Sequence, residues 1–134
     1  MNDKFKIFIL TMIVFLFTTN CKKEAVSISH EYIGEWRTDY DIHDNYSIIK
    51  IDNESHASYV EYGPISGENF DGICKIKNNN LYIGNHKEFR INQSPTSETD
   101  TSCTWSSYAM TCIIYSSKMK LDSIVYYRVV KIIE

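Results

Sequence analysis

Glycine and proline are scarce, with 5 Gly and 2 Pro in 134 residues, which excludes collagen and the Gly/Pro-rich disordered chains. Positive charge is not in excess either. Lys plus Arg number 14 against 17 Asp plus Glu, so no basic surface is offered to a polyanion and nucleic acid is not an expected partner. No Cys-x-x-Cys pair occurs, which removes zinc ribbons and thioredoxin-like sites. A Gly-rich phosphate loop and a Gly-x-Ser-x-Gly elbow are also missing. Neither an internal repeat nor a helical period appears. Tyrosine, by contrast, is abundant: 10 tyrosines and an aromatic share of 13% suit pleated, half-buried surfaces. Length and composition together describe one globular domain that leans toward β structure.

The first twenty residues differ from the rest. Lys4 and Lys6 precede an apolar run at 7–17 that only Thr11 interrupts. A helix that crosses a bilayer needs roughly 20 apolar residues, so this run has the length of a secretory core rather than of a span. It ends in Thr18, Thr19 and Asn20, and then comes Cys21, followed by Lys22, Lys23 and Glu24. These residues resemble the signal of a bacterial lipoprotein precursor, with the Cys-Lys-Lys sequence similar to those of Bacteroidota. The resemblance implies a signal peptide at 1–20 and a diacylated Cys21 as the new N-terminus, carrying palmitate-like chains. It also implies an outer-membrane lipoprotein of the bacterial cell envelope, held to its membrane partner by N-terminal acyl chains. Losing two lysines and one aspartate with the signal takes the net charge from −3 to −4. Anionic lipid headgroups would then add nothing, and two or three acyl chains must supply the attachment. Residues 21–30 read as the lipidated cysteine and a short polar tether.

Export puts Cys74, Cys103 and Cys112 in an oxidising space where disulfides persist. Three cysteines cannot all pair. Cys103 and Cys112 are separated by eight residues and meet across neighbouring strands if those residues form a hairpin loop. Cys74 with either of the others is the competing connectivity. Cys74 also sits in the alternating series Phe70, Gly72, Cys74, Ile76, which fits a small buried hydrophobe.

From residue 31 to 134 runs of Ile, Val, Tyr and Thr recur between Asn, Asp, Gly and Ser clusters, the spacing of an all-β fold. Strands are expected at 32–39, 46–51, 56–62, 70–77, 81–84, 87–92, 109–115 and 123–132. The turns at 52–55, 78–80 and 84–85 suit tight hairpins, because Asn and Gly tolerate positive φ. Residues 93–102 contain no apolar side chain and read as the longest loop, and 116–122 as at most one helical turn. Phe70, Cys74, Ile76, Leu81, Ile83, Phe89 and Ile91 fall on one face, with Lys75, Lys77, Tyr82, Glu88 and Arg90 opposite. Open edges on so many short strands invite association, which predicts a small antiparallel up-and-down β-barrel.

Gly34-Glu35-Trp36 at the first strand resembles the Gly-x-Trp signature of lipocalins and smaller lipocalin-like domains. Tyr126, Tyr127 and Arg128 are similar to that family's last strand. The resemblance runs from Tyr32 to the end. It implies that Trp36 plugs one end of the barrel and that Arg128 lies across its indole. Arg37 must then point the other way.

Candidate chemistry is sparse. Asp39, Asp41 and His43 alternate beside Asp44 and could converge on a cation, but the simpler reading is a solvated acidic loop after the first strand. His30, His56 and His86 lack partners at ligand spacing. Carboxylates are scattered, apart from Glu61 and Glu68 around Gly63-Pro64, so no acid/base pair is indicated. The sequence therefore reads as a non-enzymatic protein with no cofactor and no metal. Two functions remain: a membrane-anchored lipocalin-like lipoprotein that binds a small apolar ligand, or an envelope interaction or inhibitor module with a side-chain-filled barrel. Eight-stranded barrels stand at the boundary between a filled interior and a small ligand site.

Overall fold

The computed structural model describes residues 27–64 and 67–134. The expected signal peptide, Cys21 and the tether up to residue 26 lie outside the described residues. A 3-10 turn, His30–Tyr32, leads into eight strands: β1 Gly34–Arg37, β2 Tyr46–Ile51, β3 His56–Tyr62, β4 Asn69–Lys77, β5 Asn80–Ile83, β6 Lys87–Trp105, β7 Met110–Leu121 and β8 Ile124–Ile133. Each strand pairs antiparallel with the next. β8 returns to β1 through Trp36 opposite Arg128 and Arg37 opposite Tyr127, which closes the sheet in a ring. The class is all-β, as the sequence predicts.

Turn chemistry sets this register. Asn78 and Asn79 both take positive φ, 51° and 62°, the requirement of a two-residue primed turn, and Lys77 faces Asn80 across it. Between β2 and β3, Asp52 Oδ1 accepts from the amides of Glu54 and His56, each at 2.9 Å. At the corner where β4 leaves β3 for β5, Gly72 has φ +153°, and a Cβ there would stand 2.7 Å from the Gly84 Cα. Only glycine lets the two backbones come so close.

Trp36, Ile49, Cys74, Leu81, Ile83, Met119 and Leu121 have no exposed surface. They join Tyr32, Ile51, Ala57, Tyr59, Phe89, Ile91 and Tyr126 in one cluster that fills the ring. Ile28 belongs to the same cluster, and its amide donates to Ser55 Oγ at 3.2 Å. Ile28, within the tether expected at 21–30, is thus packed against the domain. Ile76, expected on the inner face, is exposed at the end of β4.

Three expectations need correction. The first strand does not run over 32–39, because Tyr32 belongs to the 3-10 turn and β1 spans only Gly34–Arg37. Residues 93–102 are not a loop but part of β6, and 116–121 continue β7. The polar stretch is strand because its backbone pairs with β7 while most of its side chains face water. Register shifts between Ile91 and Asp100 absorb the interruption around Pro95, which has no amide to donate. In β7 the two-residue period runs unbroken through Ile113, Tyr115, Ser117, Met119 and Leu121, all buried. Ser117 is tolerated inside because its hydroxyl donates to the Thr96 carbonyl at 2.6 Å.

Beyond these shifts the long β6–β7 hairpin contacts β8 and the segment that follows β1. Ser102 Oγ donates to Asp39 Oδ2 at 2.7 Å, and the Ser107 amide to Asp44 Oδ1 at 3.0 Å. The Tyr115 ring packs 4.6 Å from that of Tyr127. Arg37 points away from Trp36, yet is only 4% exposed.

Candidate functional site

The end of the ring beside the 3-10 turn is shut by Trp36. Its indole Nε1 donates to the Tyr32 carbonyl at 2.7 Å, and the guanidinium carbon of Arg128 lies 5.5 Å from the ring centre. Arg128 also reaches the carbonyls of Glu31 and Ile33, both at 3.4 Å. The sequence-expected pair of plug and arginine is therefore brought together.

At the other end Thr38, Ser47, Tyr59 and Glu61 surround a cleft of about 380 Å³. Tyr59 donates its hydroxyl to Ser47 Oγ at 3.4 Å. Burial raises the Tyr59 phenol above its ordinary pKa, and raises that of Tyr126 further. The walls include Tyr40, Tyr46 and Tyr127 along with Asp39 and Asp41, and among the described residues no Lys, Arg or His lines the cleft. The cleft does not reach Ile49, Leu81, Ile83, Met119 or Leu121, so it is a surface feature above a packed interior. Arg37 stands behind its wall, its guanidinium carbon 4.1 Å from the Tyr46 ring centre and 5.5 Å from that of Tyr40.

Asp39, Asp41 and His43 do not converge. Asp39 turns to Ser102, while its Oδ1 is buried with no hydrogen-bond partner among the described residues. Asp41 organises its own loop, with Oδ1 accepting from the amides of His43 and Asn45 at 2.8 and 2.9 Å and Oδ2 from the Asn45 side chain at 3.0 Å. The Asn45 side chain and amide are the main reasons its carboxyl is held below the usual range.

Cys103 and Cys112 face each other across β6 and β7 and are joined, with Cα atoms 4.0 Å apart. Cys74 is free and buried, and burial pushes its thiol up to about 12, with Asp52 adding to the shift. It is a packed apolar group, not a nucleophile.

Two pairs beyond the disulfide, Trp105 faces Met110, and the Ser106–Ala109 turn carries Tyr108. Trp105 is 77% exposed, Met110 44% and Tyr108 94%. Ile42, 93% exposed, shares a cleft with Asp44 and Ser107 beside this tip. Trp105 and Tyr108 fall in the segment between Cys103 and Cys112 that the sequence marks only as a hairpin loop. Their signal is three large apolar side chains in an eight-residue Ser/Thr-rich segment. The chain matches no protein-family model, no curated protein and no solved structure.

Proposed function

We propose that this chain is a non-enzymatic, lipocalin-like lipoprotein of the bacterial cell envelope. It is tethered through acylated Cys21 and acts through its surface, not through a ligand held inside. The supporting observation is the filled ring: residues from opposite walls, Ile49, Leu81, Ile83, Met119 and Leu121, pack together with Trp36 and leave no exposed surface. A drug-sized ligand needs roughly 300 Å³ or more of concave, largely apolar space. The clefts of that size among the described residues are surface features outside Ile49, Leu81, Ile83, Met119 and Leu121, the carboxylate- and tyrosine-lined mouth among them.

The Gly34-x-Trp36 and Arg128 arrangement supports the lipocalin-like reading, since each residue stands where that resemblance asks for it. Titration of the purified protein with a fluorescent long-chain fatty acid tests the surface-acting role. The expected result is no saturable signal and no quenching of tryptophan emission. Stoichiometric uptake of the probe contradicts the reading and restores an internal ligand.

A further inference from the structure

Three clefts adjoin around the β1–β2 loop, 38–45, and share Asp44, Pro64, Tyr40 or Glu61 among their walls. Their volumes are about 380, 430 and 580 Å³. Asp39, Asp41, Asp44, Glu61 and Glu134 line them, and none of these is in an ion pair among the described residues. Glu68 also lines one cleft but is neutralised by Lys87 at 2.6 Å. Among the described residues His43 is the one basic side chain in the three linings. Asp39 adds a buried acceptor with no partner among the described residues. Beside this acidic ground stand Trp105, Tyr108 and Ile42, the most exposed large apolar side chains described. The Cys103–Cys112 bond and the Ser107–Asp44 hydrogen bond hold the tip in place.

Exposed aromatics on a fixed tip fit either a bilayer or a polypeptide. Charge decides between them. Carboxylates with no cationic partner among the described residues repel an anionic lipid surface and attract cations.

We propose that this loop end docks a cationic, partly apolar polypeptide segment of another envelope protein. Its Lys or Arg side chains enter the carboxylate-lined clefts, and Trp105 and Tyr108 cover its apolar side chains. Cations over aromatic faces add to such binding, and interfaces concentrate their energy in Trp and Tyr. The inference rests on the surface-acting reading above.

The test is fluorescence anisotropy of a labelled octapeptide of alternating Lys and Leu, added to the full-length protein in detergent. Saturable binding is expected, and it weakens as salt is raised because the charges are solvent-accessible. Two variants separate the parts: Trp105→Ala with Tyr108→Ala, and Asp44→Asn with Glu61→Gln. Each weakens binding tenfold or more with an unchanged circular dichroism spectrum, since all four side chains are at the surface and Asn keeps the acceptor for Ser107. Equal affinity for the alternating Glu-Leu octapeptide, unchanged affinity in both variants, or capture of phosphatidylcholine vesicles in place of the peptide overturns the proposal. The fatty-acid titration run beside it keeps the two failures apart. Uptake of that probe sinks the surface-acting reading, whereas silence from both probes sinks only the cationic partner.

Discussion

Arg128 and Trp36 stand directly opposite each other where β8 meets β1, and the arginine fixes both ends of the Gly34-Glu35-Trp36 tripeptide. Its guanidinium covers the indole at 5.5 Å. Its stem passes so close to residue 34 that a Cβ there would sit 3.0 Å from the Arg128 Cδ, on a backbone with φ +139°. Glycine is thus required by both conformation and contact. The Gly-x-Trp spacing is a consequence of this packing: the residue between points outward, where Glu35 pairs with Lys50 at 2.9 Å.

Removing the indole leaves a cavity at the closed end. Trp36→Ala is expected to cost about 3–5 kcal/mol, and Arg128→Leu about 0.5–2 kcal/mol. Gly34→Ala should destabilise by about 1–3 kcal/mol through backbone strain alone. Urea denaturation of the three variants checks the order; a loss under 1 kcal/mol for Trp36→Ala contradicts the plug role.

The strands that the sequence makes legible share a physical trait. Those from β2 to β5 alternate one apolar face against one polar face between Asn- or Gly-bearing turns, and their limits fall within a residue or so of expectation. The outer half of β6 has no such face, because 93–102 pair through backbone while their side chains meet water. Polarity there hides a strand. The missed end of β7 is different, since the alternation of Ser117, Met119 and Leu121 with Lys118 and Lys120 is present in the sequence and only the serine pair obscures it. At the site, Trp36 with Arg128 and Cys103 with Cys112 are legible as pairs. The tip is not, because the contact of Ser107 with Asp44 joins residues 63 apart in the chain, and no turn motif announces it.

Reduction of the Cys103–Cys112 bond releases a short loop, and the expected loss is no more than about 3 kcal/mol. Hydrogen exchange should localise the effect: the amides of the outer hairpin lose protection after reduction while those of Leu81, Ile83 and Leu121 keep it. Uniform loss of protection around the ring would mean that the disulfide supports the whole fold.

The Cys74 thiol gives a pH dependence with a definite sign. Its folded pKa of about 12 lies above the ordinary value of 9.0, so the fold favours the protonated form. Stability from this group is complete below pH 9 and drains away as pH rises from 9 toward 12. Tyrosines titrate in the same range, so the measurement is the difference between the parent and Cys74→Ala. The variant should lose less stability over that interval, and a thiol reagent should label Cys74 only after unfolding. Rapid labelling of the native protein at neutral pH contradicts the buried placement.

Cys21→Ser removes the acylation point. The expected outcome is release of the protein from membranes into the soluble fraction, read by fractionation of the native host. Continued sedimentation with membranes would instead make the apolar run at 7–17 the anchor.

Native mass spectrometry of the protein purified from its own host bears most directly on a lipid-tethered domain with a solid interior. The expected result is a chain that begins at Cys21, carries the mass of two or three acyl groups, and releases no further small molecule. A chain that begins at Met1, or one that carries a stoichiometric apolar ligand, contradicts it.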